Sequence, residues 1–195
     1  MKFLKENSYD IVRLYINQIG ITIFSLLLYF PVLDLKNETT SARLTVVISI
    51  FATLFLLALI YTASWEWGAK DKIKIDGGRM EPFRAKGFIL GLTANSLNFL
   101  LGAVSVISAA ICLGGGNALR GVEQVSTIIL TMTNSMYIGI LELAFSPLAE
   151  NEALYAFLKA LGFFILPMLT VLAAHVGYTL GSKDIRIVAP KRTKK

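Results

Sequence analysis

The sequence predicts an all-α polytopic integral membrane protein, a bundle of five hydrophobic helical segments of which at least four span the bilayer. Three observations carry that prediction. Of the 195 residues, 55% are hydrophobic and only 16% are charged, whereas a soluble domain carries about 25% charged residues. Charges are all but absent from five runs, at residues 14–33, 44–65, 87–113, 124–145 and 160–182, where Glu142 in the fourth is the one Asp, Glu, Lys or Arg. Those runs approach or exceed the roughly 20 helical residues that a hydrocarbon core requires. Continuous apolar runs also occur in buried parallel strands, but these are too long for strands and too little polar chain remains to cover them.

Segment one is preceded by "SYDIVRLYIN" (8–17), where Ile11, Leu14 and Tyr15 share a helical face. That pattern predicts an interfacial helix, capped by Ser8, running into a first span that Pro31 ends. The apolar run begins at Leu14 and no small-x-small cleavage site follows it, so it reads as a retained span and not a signal peptide. Segment two follows the polar "DLKNETTSAR" and finishes at "SWEWG". There Trp65 and Trp67 flank Glu66 at the depth indoles prefer, and both are read as interfacial anchors. Within the basic loop 66–86, the alternation of "KIKI" and the Asp76-Gly77 pair predict a small two-stranded hairpin. "DGGR" lacks the Lys-Ser/Thr of a phosphate-binding loop. So does "GGGNALRG" (114–121), which reads as a helix C-terminus and turn.

Segment three holds a stripe of small and polar residues, Gly87, Gly91, Asn95, Asn98, Gly102, Ser105, Ala109 and Cys112, at spacings of three and four. Such a stripe predicts one unbroken helix of about 39 Å for 26 residues. Its small residues admit close helix neighbours, and its asparagines face those neighbours and not lipid. In segment four, Gln124, Thr127, Thr131, Asn134 or Ser135, Gly139 and Glu142 can share a face. However, "TMTNS" (131–135) gathers four polar residues at mid-depth, where a re-entrant turn requires a shell of protein. In segment five His175, Thr179 and Ser182 share a face, Pro167 permits a kink, and Gly177 and Gly181 form a small-xxx-small packing signal. Gly87, Gly91, Gly102, Ser105, Gly177 and Gly181 are therefore the expected helix-packing positions.

Basic residues set the orientation. With five crossings and a cytoplasmic N-terminus, Lys and Arg divide 10 inside to 9 outside, which is no bias. If segment four dips in and returns, the division becomes 15 to 4, and if segment three is the non-crossing one, 16 to 3. The positive-inside rule thus asks for an even number of crossings, with segment four the favoured exception, a cytoplasmic N-terminus and a multi-pass plasma-membrane location. The net charge of +6 sits beside the apolar runs, so anionic lipid headgroups at the basic loop and the tail 183–195 are the expected partners. A membrane-protein partner or a second copy is a further candidate, and nucleic acid is not expected.

Ionisable groups within spans are functional suspects because they are costly there. Glu142 and His175 qualify, and with Asn95, Asn98 and Asn134 they form the candidate intramembrane polar cluster, which could bind a solute or relay protons or simply glue helices. With one histidine and one cysteine, Cys112, no metal-ligand spacing arises, no intramolecular disulfide is possible, and no cofactor is expected. There is no G-x-S-x-G elbow and no carboxylate pair within a span. A Ser105 or Ser108 pairing with His175 is the one enzymatic arrangement to weigh, and the expectation is a non-enzyme. In size, hydrophobicity and basic loops the chain resembles the substrate-binding membrane subunits of energy-coupling-factor vitamin transporters. Those usually have six helices and an A-x-x-x-A contact in the first. Here the first span has no alanine and "AFLKA" (156–160) opens segment five, so no residue is carried over. The expected function is small-solute transport, alone or as a membrane subunit, with an accessory or regulatory role through helix packing as the alternative.

Overall fold

Segment one forms a single long helix. In the computed structural model, which describes residues 2–116 and 118–185, a short α1 (Lys2–Glu6) is followed at once by α2 (Ser8–Leu33). The expected interfacial helix and first span are therefore one element. Ser8 lies inside it, donating its hydroxyl to the Lys5 carbonyl, and not at a cap. Pro31 is also internal, and the helix runs on to Leu33.

Segment two becomes α3 (Glu38–Asp76), capped by Asn37, whose Oδ1 accepts from the Thr40 N–H. Its 39 residues make about 58 Å of helix, against a hydrocarbon core of about 30 Å. The helix takes in "KIKI", the first arm of the predicted hairpin, and no strand occurs among the described residues. The reason lies in its buried stripe of Ser49, Leu56, Ile60, Ala63, Trp67 and Asp71. Helical spacing continues to Asp71 and outweighs the local alternation of "KIKI". A turn follows only at Gly77-Gly78, where Gly78 has φ 67°.

Segment three is α4 (Lys86–Ala94) and α5 (Ser96–Leu113), interrupted at Asn95. The expectation of an unbroken helix is corrected there, although the stripe from Gly87 to Ala109 still faces inward. Segment four is α6 (Arg120–Thr133), a 3-10 turn at Ser135–Tyr137 and α7 (Ile138–Phe145), with a second 3-10 turn at Ser146–Leu148. The α6 and α7 arms meet at 89°. Segment five is α8 (Glu152–Ile165) and α9 (Pro167–Ser182), parted at Leu166 because Pro167 has no N–H to donate.

Four helices are long and apolar enough to cross a membrane: Ser8–Val32, Glu38–Asp76, Ser96–Leu113 and Glu152–Ser182. Their outer faces are apolar; Leu27, Val47, Leu54 and Leu100 are 61–67% exposed. An exposed apolar belt of that extent is what lipid would cover.

Contacts fix the directions. Arg13 pairs with Glu66 and Tyr29 with Ser49, so α2 and α3 are antiparallel. Gly177 meets Tyr61 and Gly181 meets Trp65, so α9 runs parallel to α3. Gly87 and Gly91 meet Ala174 and Val171, and Gly102 meets Phe164, so α4–α5 runs against α8–α9. The start of α2, the end of α3, the start of α4 and the end of α9 consequently share one end of the bundle, here the basal end. Arg120 and Glu152 line a common pocket at the opposite, distal end. The α6–α7 pair thus leaves and returns at the distal end. Of the tail, residues 186–195 lie outside the described residues.

Every predicted packing position meets a neighbouring helix. A Cβ added to Gly87, Gly91, Gly102, Gly177 or Gly181 would press on the facing helix, and buried Ser105 Oγ lies 3.1 Å from Thr127 Oγ1. Trp65 and Trp67 differ. Trp65 donates Nε1–H to the Ile185 carbonyl at 2.8 Å, while Trp67 is 4% exposed and turned into the bundle core. The reading of Trp67 as an interfacial anchor is corrected.

Candidate functional site

The interruptions at Asn95, Asn134 and Leu166 converge. Asn95 lies nine residues, about 14 Å, from the start of α4, and Asn134 about 21 Å along α6 from Arg120. Both therefore sit at mid-depth, and both are buried, as are Asn98, Gln18 and Thr170.

These side chains form a directional network. Asn95 Nδ2 donates to the Gly91 carbonyl at 2.9 Å and to Thr170 Oγ1 at 2.8 Å, while Thr170 gives its own hydroxyl hydrogen to the Pro167 carbonyl at 2.7 Å. A backbone carbonyl can only accept, so the Asn95 amide orientation is fixed. Asn95 Oδ1 then accepts from Gln18 Nε2 at 2.7 Å and from Asn98 Nδ2 at 3.5 Å. Asn98 Oδ1 in turn accepts from Asn134 Nδ2 at 3.3 Å. Asn134 Nδ2 also donates to Thr133 Oγ1 at 3.0 Å, so the amide nitrogens of the network are engaged and oxygens are left at its ends. Gln18 Oε1 and Asn134 Oδ1 are buried and have no hydrogen-bond partner, and Tyr137 OH is in the same condition.

A second set of hydroxyls supports the turn between α6 and α7. Thr22 donates to the Thr133 carbonyl at 2.7 Å and Thr53 to the Met136 carbonyl at 3.2 Å. Ser49 Oγ accepts the Gly139 N–H at 2.6 Å and pairs with Tyr29 OH at 2.6 Å, while Ser25 pairs with Ser135. Non-helical backbone survives at membrane depth only where protein satisfies its polar groups. Here α2 and α3 do so.

Of the five predicted cluster residues, Asn95, Asn98 and Asn134 are brought together. Glu142 and His175 share no hydrogen bond with them. Glu142 lies on α7 within electrostatic reach of Lys159 near the distal end. His175 lies on α9 toward the basal end, edge-on to Phe88 at 6.2 Å. Ser105 and Ser108 bond to Thr127 and to their own helix, so no Ser–His pair is assembled.

Sequence reasoning missed Gln18, Thr22, Ser25 and Tyr29, although their spacings of four, three and four place them on one face of α2. Ser49 and Thr53 of α3 and Thr170 of α9 were missed as well. At the basal end a buried ion pair joins Lys86 Nζ to Asp71 Oδ2 at 2.7 Å, and Tyr178 OH donates to the same oxygen at 3.1 Å. No family model, curated protein or solved structure matches the chain.

Proposed function

We propose that the chain is a transporter, or the membrane subunit of one, for a small neutral solute rich in hydrogen-bond donors, such as an amide or a polyol. The observation that carries this reading is the pair of buried, unpartnered acceptors, Gln18 Oε1 and Asn134 Oδ1, at the meeting point of three helix interruptions. Unsatisfied acceptors in a low-dielectric core cost about 1–3 kcal/mol each, so packing alone gives no reason to keep them. Interrupted helices around a midplane site are a recurring arrangement in transporters, an argument from analogy. The polarity of the free atoms disfavours anions. A bare cation would find no carboxylate in the amide network, and uncompensated buried charge is expensive. The N-terminus is assigned to the cytoplasm of the plasma membrane, because the basal end, with the tail following α9, then carries 15 of the 19 Lys and Arg.

The test is solute flux into proteoliposomes by stopped-flow light scattering, using urea, acetamide and glycerol, with methylammonium as the charged comparison. A neutral solute should cross faster than through protein-free vesicles, and Gln18→Leu and Asn134→Leu should each abolish the gain. Equal flux in both variants refutes the reading. The accessory alternative draws on an outward apolar groove lined by Leu92, Phe99, Leu100, Phe164 and Met168. It takes over if no solute is moved and the protein instead co-purifies with one stoichiometric membrane partner through that groove.

A further inference from the structure

A second site lies at the basal end, away from the amide network and independent of the transport reading. His175, Thr179 and Ser182, which share one face of α9, form one wall of a pocket of about 530 Å³. The opposite wall is the end of α3 with Lys72, Ile75 and Asp76, and Pro82, Arg84 and Lys183 complete it. His175 Nδ1 and Thr179 Oγ1 are buried without hydrogen-bond partners. Phe88 holds the imidazole edge-on at 6.2 Å. Ser182 spends its hydroxyl hydrogen on the Thr179 carbonyl at 2.8 Å, so the donors left are the Thr179 hydroxyl, the imidazole N–H and the three cationic heads. None of Lys72, Arg84 and Lys183 is in an ion pair among the described residues, whose pairs are Arg13–Glu66, Lys74–Asp71 and Lys86–Asp71.

Charge arithmetic narrows the ligand. Asp76 cancels one of the three cations. The C-termini of α3 and α9 both end here, and each contributes about half a unit of negative charge. About one unit of positive charge remains, which matches a monoanion better than a dianion. We infer that this pocket binds a singly charged phosphodiester, the group carried by an anionic glycerophospholipid headgroup, with Thr179 and His175 donating to the phosphoryl oxygens and Lys72, Arg84 and Lys183 closing over it. Its place fits a lipid source, because apolar Ile75 and Pro82 are on its wall and it opens at the end of the apolar belt.

The sole histidine gives a site-specific readout. Protein labelled with ¹⁵N-histidine is placed in phosphatidylcholine nanodiscs, and the single imidazole signal is followed as phosphatidylglycerol replaces phosphatidylcholine. The expected result is a saturable shift. In the Lys72→Gln/Arg84→Gln variant the apparent affinity should be about 30-fold weaker, from about 1 kcal/mol per basic contact. The imidazole signal itself shows whether that variant is folded, since both substitutions lie outside the helix-packing surface. An absent or non-saturating shift overturns the proposal, as does an equal response in the variant. A saturable shift with inorganic phosphate in pure phosphatidylcholine discs also overturns the headgroup assignment, giving the pocket to a soluble phosphate instead.

Discussion

Replacing Gln18 by leucine separates stability from function in a way that can be worked out from the hydrogen bonds. Gln18 Nε2 makes one good bond, to Asn95 Oδ1 at 2.7 Å, and a marginal contact to Thr170 Oγ1 at 3.5 Å. Side-chain hydrogen bonds between membrane helices average about 0.6 kcal/mol and reach about 1.7. Against that loss, the substitution removes an orphaned acceptor, Gln18 Oε1, worth about 1–3 kcal/mol. Gln18→Leu should therefore lie within about 1 kcal/mol of the parent. Asn95→Leu is different. It deletes the bonds to Gln18, Gly91, Thr170 and Asn98 and leaves the Gln18 amide hydrogens with only the 3.5 Å contact. Asn98 Nδ2 also loses its partner, so four bonds and two stranded donors amount to about 4 kcal/mol. In the double variant the Gln18 donor is gone, so the cost should fall short of the sum by about 1 kcal/mol. The assay is equilibrium unfolding in mixed dodecyl maltoside and SDS micelles, read by the fluorescence of Trp65 and Trp67. A Gln18→Leu loss above about 2 kcal/mol would show that Oε1 is satisfied, and additivity of the two changes would refute the network.

Further outcomes concern the basal end and the packing. Asp71→Ala strands buried Lys86 and should destabilise by about 3–5 kcal/mol, whereas Asp71→Asn with Lys86→Met should recover most of it; thermal melting in detergent distinguishes them. Gly181→Ala forces a Cβ onto the Trp65 backbone and should cost about 1–3 kcal/mol. Gly20→Ala, with nothing within 4 Å, should gain about 0.5–1 kcal/mol, and a loss as large as at Gly181 contradicts the packing. A reporter active only in the cytoplasm should work after Lys195 and fail within 149–151; a silent C-terminal fusion would mean an odd number of crossings.

The inward direction of Asn95 and Asn98 was legible because a narrow stripe at spacings of three and four has one geometric reading. The interruption at Asn95 was not, since a break of one residue leaves that stripe in register. The hairpin at 70–86 was misread because alternation over four residues is a local signal, while the stripe that keeps α3 helical runs back to Ser49. The α2 half of the site escaped because Gln18, Thr22, Ser25 and Tyr29 are separated by large apolar residues.

By itself the sequence determined the solvent. Charge-free runs of about 20 residues commit the chain to a helical bundle whose outer face is apolar, because no other arrangement satisfies so much backbone. The distribution of Lys and Arg further asks for an even number of crossings. What only the tertiary structure decided is where the helices bend, with α6 and α7 meeting at 89°, and which polar residues meet. The chain can bend at Asn134 because Thr22 and Thr53 come from distant helices to donate to the Thr133 and Met136 carbonyls on either side of it. The amide orientations depend on a single carbonyl, at Gly91, whose availability no spacing reveals. Hydrogen bonds between residues as far apart as Gln18 and Asn95 arise from helix direction and register, which are properties of the assembled bundle and not of any segment within it.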